Sequence, residues 1–403
     1  MTRLEKLLRS VRREDKILEI GPSYNPAAPK RKGWNTKVLD HCTKEELVAK
    51  YLAMHLGTKY NALTFDLSQV EEVDFVWQGG ALESAVPKEE HGTFDVCIAS
   101  HVIEHTPDLV GFIRSIETLL KPNGLISLAV PDKRYCFDYF QPLSSTGNVI
   151  DAIGSSRHSR GKVFNSSAYG ILQNQKATWG PGPLCRFELA QNIGDCFESI
   201  RRYTGKPDDS YIDCHGWFFT PNSFELIITE LGHLGLIGCH IHETYPTAGN
   251  EFFVRLKLGA PSPRSNEELN RQRLKLLIST QVDLLEQASY NPEVRLPAGW
   301  KLKYYWSRLN GLKESLANFA ARTWLAPLYE AYKYFYRDRA IHPVETRASL
   351  PAWRRYYNPF RDAATYVIRQ YHYQLTIRTR LASQWRRRNS TAPRATYSRI
   401  LKP

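Results

Sequence analysis

Glu19 and Gly21 close the apolar run KILEI, and Asp40 closes the next run, TKVLD, 21 residues beyond Glu19. Carboxylates at strand ends beside a glycine turn suit a ligand lying across the carboxyl edge of a sheet. Glycine lets the backbone come close, Glu19 can meet a cationic group, and Asp40 can accept both hydroxyls of a ribose. The turn is not a phosphate cradle. No second glycine follows Gly21 in GxGxxG spacing, and Pro22, Pro26 and Pro29 lack the N–H groups that a pyrophosphate would want. This argues against a dinucleotide and for a cationic ligand without phosphate. The competing reading makes Glu19 and Asp40 charged strand ends in water. Whether Ser23, Tyr24 and Asn25 touch a ligand or only brace the loop stays open.

Three later stretches hold the other chemistry-bearing side chains. ASHVIEH places Ser100, His101, Glu104 and His105 at the end of the fourth buried run, where either imidazole could titrate near neutrality or sit as a structural group. VPDKRYCFD offers an acceptor, two cations and a stacking ring in Asp132, Lys133, Arg134 and Tyr135, a set suited to a polar, anionic acceptor and also found in plain surface turns. YIDCHGWFFTP brings Asp213 and His215 just ahead of a helix. His240 and His242 share one strand face without a third ligand in view, so no metal is expected. The seven cysteines are scattered and free of CxxC spacing, which points to a reducing compartment, the cytoplasm, rather than to disulfides or structural zinc.

The elements that must position these residues follow from periodicity. KILEI, TKVLD, VDFVW, FDVCIAS and GLISLAV read as buried strands; EELVAKYLAMHLG and PDLVGFIRSIETLLK read as helices between them. Strands alternating with helices give a parallel sheet covered on both faces. Residues 137–212, rich in Gly, Ser, Asn and Pro, interrupt the rhythm as an insertion. A helix with Thr220 as N-cap and Pro221 at its first position follows. LIGCHIHET and NEFFVRLKL then come joined by PTAG and its flanks, too short a link for a parallel crossover, so this last pair is antiparallel. Residues 1–14 form a short amphipathic helix on Leu4, Leu7, Leu8 and Val11, with Thr2 and Glu5 as a capping box.

Charge divides the chain. Residues 1–260 carry a net −3 and residues 261–403 a net +16, and 21 aromatic residues crowd into the last third. That extension opens with a helix from Ser265 to about Gln287, capped by Ser265 and Glu268, with Leu274, Leu277, Ile278, Val282 and Leu285 on one face. Beyond Asp362 there are nine basic residues and no acidic one. Arginine interleaved with Trp and Tyr suits an anionic membrane surface or a lipid-linked pyrophosphate. Nucleic acid, or a solvated helical face, fits the same composition, with nucleic acid ranked below the membrane. No apolar run reaches the roughly 18 residues needed to span a bilayer, and the N-terminus is too charged for a signal peptide.

LEIGPSYNP, FDVCIASHVIEH and VPDKRYCFD, with a parallel sheet ending in a reversed hairpin, resemble the class I S-adenosylmethionine-dependent methyltransferases. The resemblance covers roughly residues 15 to 258 and is closest to small methyltransferases of bacterial polysaccharide pathways. It implies an α/β fold: a Rossmann-like seven-stranded methyltransferase sheet with an antiparallel last strand in residues 15–260, plus a mainly helical, basic C-terminal region in residues 261–403. The cofactor it implies is S-adenosyl-L-methionine, held by Glu19, Gly21, Pro22, Ser23 and Asp40, by Ser100 and His101 beside its methionine end, and by backbone groups of Gly80 and Ala81 beside its adenine. WQGGAL departs from the family's acidic residue at that last place. The activity implied is O-methylation of a sugar hydroxyl in a cell-surface glycan or its lipid-linked precursor. Lys133, Arg134 and Tyr135 would bind the acceptor, and His215 or Asp132, with His105 next, would act as base. The partners are then a sugar or glycan and an anionic membrane, with the protein peripheral on the inner membrane face. RNA methylation and an inactive scaffold that binds a glycan or membrane are the alternatives.

Overall fold

The structure is a computed structural model that describes residues 1–57, 66–184, 186–204, 211–259, 264–291 and 293–294. The sheet begins on a strand of four consecutive buried residues, β1 (Ile17–Ile20). Parallel neighbours flank it: β2 (Thr36–Asp40) and then β3 (Phe75–Val76) on one side, β4 (Phe94–Ser100) and then β5 (Leu120–Pro131) on the other. A separate two-stranded ribbon, β6 (Ile171–Gln173) with β7 (Phe187–Leu189), lies in the insertion. The hairpin β8 (Cys239–Ala248) and β9 (Glu251–Leu258) completes the main sheet, in the order β3-β2-β1-β4-β5-β9-β8. β9 is antiparallel to both neighbours. The two-residue link between β8 and β9, with Gly249 at φ +68°, leaves no length for a crossover.

Alternation along the strands divides the core. Leu18, Ile20, Cys97 and Ala99 point to the face covered by α3 (Leu109–Leu119) and α7 (Pro221–His233), where Val110, Ile113, Ile116, Phe224, Ile227 and Leu231 meet them. Ile17, Val96 and Ile98 point to the other face, where Leu7 of α1 (Arg3–Leu7) packs with Ala27, Ala28 and Phe253. Each fully buried Leu, Ile, Val or Phe among them stabilises by about 1.5–3 kcal/mol. The Thr2/Glu5 capping box and the Thr220 cap of α7 with Pro221 form as the sequence predicts. α1 ends at Leu7 rather than continuing to residue 14, and Ser10 follows in the left-handed region at φ +57°.

The remaining helices are α2 (Lys44–Gly57), α4 (Thr146–Asp151), α5 (Arg160–Ala168), α6 (Ile193–Thr204) and α8 (Asn266–Tyr290). The insertion thus has elements of its own. Helix α8 has the expected Ser265/Glu268 capping box, but it presents a different face from the one its apolar spacing predicts. Leu269, Leu276, Thr280, Asp283 and Gln287 are buried, whereas Leu274, Leu277, Ile278 and Leu285 are exposed and Val282 half-buried. The reason lies in the domain beneath it, which buries Lys133 and Arg134 and takes hydrogen-bond and ionic partners for them from the polar face of α8. Residues 295–403, with the basic and aromatic tail, lie outside the described residues.

Candidate functional site

The register sets Ile20 beside Leu39 and Ala99, so Gly21, Asp40 and Ser100 line up along one carboxyl edge. Gly21 has φ +61°, and a Cβ there would come within 2.9 Å of Val102 Cγ2, so glycine is required for the loops after β1 and β4 to approach. Ser23 and His101 also adopt left-handed φ, +49° and +53°, which concentrates backbone strain in these two loops. Asp40 is buried; its Oδ1 accepts from the His41 amide at 2.8 Å and its Oδ2 faces the Ser23 amide at 3.3 Å. Gly79, Gly80 and Ala81 are exposed beyond β3, with the Gly80 carbonyl accepting from Trp77 Nε1 at 3.3 Å.

Arg3 also reaches this edge. Its guanidinium donates to Ser100 Oγ and, at 2.9 Å, to Glu251 Oε1, while His101 Nε2 lies 2.9 Å from Glu251 Oε2. The helix that carries Arg3 is held there by Leu7, so an N-terminal residue enters the site that strand-end reasoning alone did not find. Burial pulls the His101 pKa down, but Glu251 and Glu104 outweigh it and the net shift is upward.

Behind the loop after β4 is a second constellation. Glu104 is buried, with 1% of its surface exposed, and neither carboxylate oxygen has a hydrogen-bond donor. Three imidazoles surround its Oε1: His101 Nδ1 at 3.5 Å, His105 Nε2 at 3.9 Å and His215 Nε2 at 4.0 Å. Each of the last two is oriented from behind, His105 Nδ1 by Asp213 at 2.8 Å and His215 Nδ1 by Asp138 at 2.6 Å. The two rings stand edge to face, centroids 4.6 Å apart. The Gly216 amide donates to the Glu104 carbonyl at 2.8 Å and locks the two segments together. Burial lowers the His105 pKa, but Asp213 and Glu104 raise it further, while the bond to His105 holds Asp213 far below the usual carboxylate range.

The profile of a family described as a methyltransferase domain matches residues 4–232, more than half of the chain. The chain belongs to that family. No curated protein sequence matches the methyltransferase significantly. Among solved structures it is similar to a SAM-dependent methyltransferase from Methanosarcina mazei, at 11% identity over 62% of this chain and 95% of that one, with a TM-score of 0.30. It is also similar to the trans-methyltransferase CalH in complex with SAH, at 15% identity over 61% of this chain and 51% of that one, TM-score 0.28. A third similar structure, from Rhodobacter sphaeroides, bears the name of Zn-dependent alcohol dehydrogenases, at 14% identity over 64% of this chain and 89% of that one, TM-score 0.35. These likenesses are too loose to bear on substrate.

S-adenosylmethionine is the cofactor of the methyltransferase, and the donor set at the carboxyl edge fits it. A guanidinium at Ser100 suits a carboxylate, Asp40 suits ribose hydroxyls, and the exposed backbone at Gly79 and Gly80 leaves groups open to a base edge. One expected contact is differently employed. Glu19 is buried and both of its oxygens are taken by the loop it precedes, accepting from Ala27 N at 2.5 Å and Ala28 N at 3.0 Å. Burial pushes its pKa up to about 7 against the pull of those two bonds. The prolines turn the loop back over β1, and the amides of Ala27 and Ala28 need a buried acceptor, so Glu19 braces the loop rather than facing a cationic ligand. Pro22 and Ser23 are half-buried within that loop.

Asp132, Lys133, Arg134 and Tyr135 also depart from expectation, because all four are buried. Arg134 donates Nε to Asp132 Oδ1 at 2.9 Å and a terminal nitrogen to Asp132 Oδ2 at 2.6 Å; its other terminal nitrogen lies 3.2 Å from Asp283 and 3.1 Å from Glu286 on α8. Lys133 donates to the Tyr139 carbonyl at 2.8 Å and to Gln287 Oε1 at 3.1 Å, and burial lowers its pKa to about 8. Asp132 also accepts from Thr247 at 2.6 Å. A carboxylate so fully paired has no free lone pair for an acceptor's proton, and the cations are spent on anchoring α8. This segment is the seat of the helix, not an acceptor site or the source of a base.

A cleft of about 320 Å³ borders the histidine chamber on the insertion side. Pro107, His158, Gly216 and Trp217 line it, with Asn165 and Lys162 among its polar groups. His158 joins the two, since its Nε2 lies 2.9 Å from the His105 carbonyl and its ring packs where a Cβ on Gly216 would fall. His240, the other histidine with a metal-like neighbour in sequence, pairs its Nδ1 with the Gly259 carbonyl at 2.9 Å. Glu104 was noticed in the sequence but given no role. The adjacency of Glu104 and His105 was visible, but its partner His215 is 111 residues further on.

Proposed function

We propose that the chain is an S-adenosylmethionine-dependent O-methyltransferase acting on a hydroxyl of a sugar in a cell-surface glycan or its lipid-linked precursor. The observation that carries this reading is the chamber of buried Glu104 and His215 with half-buried His105, just beyond the carboxyl end of β4. An alcohol attacks the sulfonium methyl in line; the new O–C bond forms as the C–S bond breaks, S-adenosylhomocysteine leaves, and the hydroxyl proton must be removed. Imidazoles held by carboxylates are suited to receive or relay that proton. The cleft supports a sugar as acceptor: serine and asparagine side chains line it together with Lys162.

Labelled S-adenosylmethionine, incubated with the protein and with separated cell glycan, lipid and RNA fractions, tests the acceptor. Label is expected in glycan or lipid-linked glycan; label confined to RNA overturns the reading. His105→Ala and His215→Ala are expected to lower turnover by about 10²- to 10⁴-fold while S-adenosylhomocysteine still binds.

A further inference from the structure

Three ligand-type side chains around one unsatisfied buried carboxylate raise the question of what neutralises it. We propose that Glu104, His105 and His215 hold a divalent cation of the zinc class. The site stands on geometry independent of the reaction, and only its catalytic role rests on the methyl-transfer reading.

One ligand atom from each residue lies within 4.8 Å of the others. At 3.9 and 4.0 Å, the imidazole nitrogens are too far from Glu104 to be hydrogen-bonded to it. An ion at the centre of the three sits a few tenths of an ångström beyond the usual bond lengths of about 2.0–2.2 Å, a gap that side-chain rotation closes. The second observation is Glu104 itself. A carboxylate buried to 1% exposure with no donor on either oxygen is costly, and a cation removes that cost. The third is orientation. Asp213 and Asp138 each engage an Nδ1, which fixes the tautomer with the Nε2 lone pair directed into the chamber, as the outer partners of metal-bound histidines do.

The donor set chooses the metal. Two imidazole nitrogens and one carboxylate suit zinc and its transition-metal neighbours, whereas magnesium and calcium want oxygen ligands throughout. Three protein ligands leave a further position open, the arrangement of sites that do chemistry rather than hold structure. With the ion bound, the Nε2 lone pairs of His105 and His215 are on the metal and no longer accept the hydroxyl proton; the ion would instead lower the pKa of a hydroxyl at the open position.

The test begins with purified full-length protein stripped by a chelator, then titrated with zinc in competition with a chromophoric indicator. One ion per chain is expected, and magnesium should not compete at equal concentration. His105→Ala and His215→Ala should each weaken zinc binding at least 100-fold, and Asp138→Asn, which keeps an acceptor on His215, about 10- to 100-fold. Thermal midpoint and S-adenosylhomocysteine binding are measured on every variant; if an alanine variant does not fold, Glu104→Gln and Asp138→Asn decide. A wild-type protein that takes up no stoichiometric zinc, or an affinity that these substitutions leave unchanged, overturns the proposal. S-adenosylhomocysteine binding by zinc-free protein separates the two readings: if it persists without zinc uptake, only the metal site fails. If zinc binds and the cofactor product does not, methyl transfer fails and the metal site stands.

Discussion

Glu19 shows how a residue type can be read correctly and its task wrongly. A carboxylate at the end of β1 is a natural partner for a cation, yet in the fold two amides of its own loop occupy both oxygens. Replacing it by alanine leaves two buried N–H groups unpaired and is expected to cost about 2–4 kcal/mol in urea denaturation. Its titration has a definite sign. The folded-state pKa is raised to about 7 from an ordinary 4.5, so between these values the folded state binds more protons than the unfolded one. The stability tied to this proton is full below pH 4.5 and lost as pH rises through 7, by about 3 kcal/mol at most. Urea midpoints at pH 5, 6 and 8 check this: the fall with pH is expected in the native protein and should be smaller in Glu19→Gln. An equal fall in both would put the titration elsewhere.

At the scale of elements, α8 sits where its ionic face, not its apolar one, is needed. Arg134→Ala removes a guanidinium that serves Asp132 and Asp283, leaving buried carboxylates uncompensated, and is expected to destabilise by about 3–5 kcal/mol. The apolar positions divide likewise. Leu276 is 5% exposed and Leu277 48%, so Leu276→Ala should cost about 2–4 kcal/mol and Leu277→Ala under about 1 kcal/mol by chemical denaturation. Equal losses would mean that the helix is rotated about its axis. The neighbouring hairpin of β8 and β9 was predictable from PTAG alone, because a link that short admits one direction of return. Helix orientation was not, because Asp283 and Arg134 are 149 residues apart and only their meeting decides which stripe turns inward.

At the scale of the whole molecule, charge is segregated, net −3 in residues 1–260 and +16 in residues 261–403. Among the described residues no helix is long and apolar enough to cross a membrane. A basic, aromatic extension on such a chain is expected to co-sediment with vesicles containing anionic lipid, to ignore neutral ones, and to release as salt rises from about 0.1 M to 1 M and the Debye length shrinks to about 3 Å. Binding that is indifferent to lipid charge would count against the membrane reading. By itself the sequence determined the strands of the main sheet, their parallel sense and reversed end, and the caps of α1, α7 and α8. These are set by neighbours within a few positions: alternation, side-chain caps, and the length of a link. Tertiary structure alone decided that Glu19 braces its loop, that Lys133 and Arg134 seat α8, and that Glu104 meets His105 and His215. Each of these depends on which distant donor or charge fills the space beside a buried polar atom, and spacing along the chain carries no record of that.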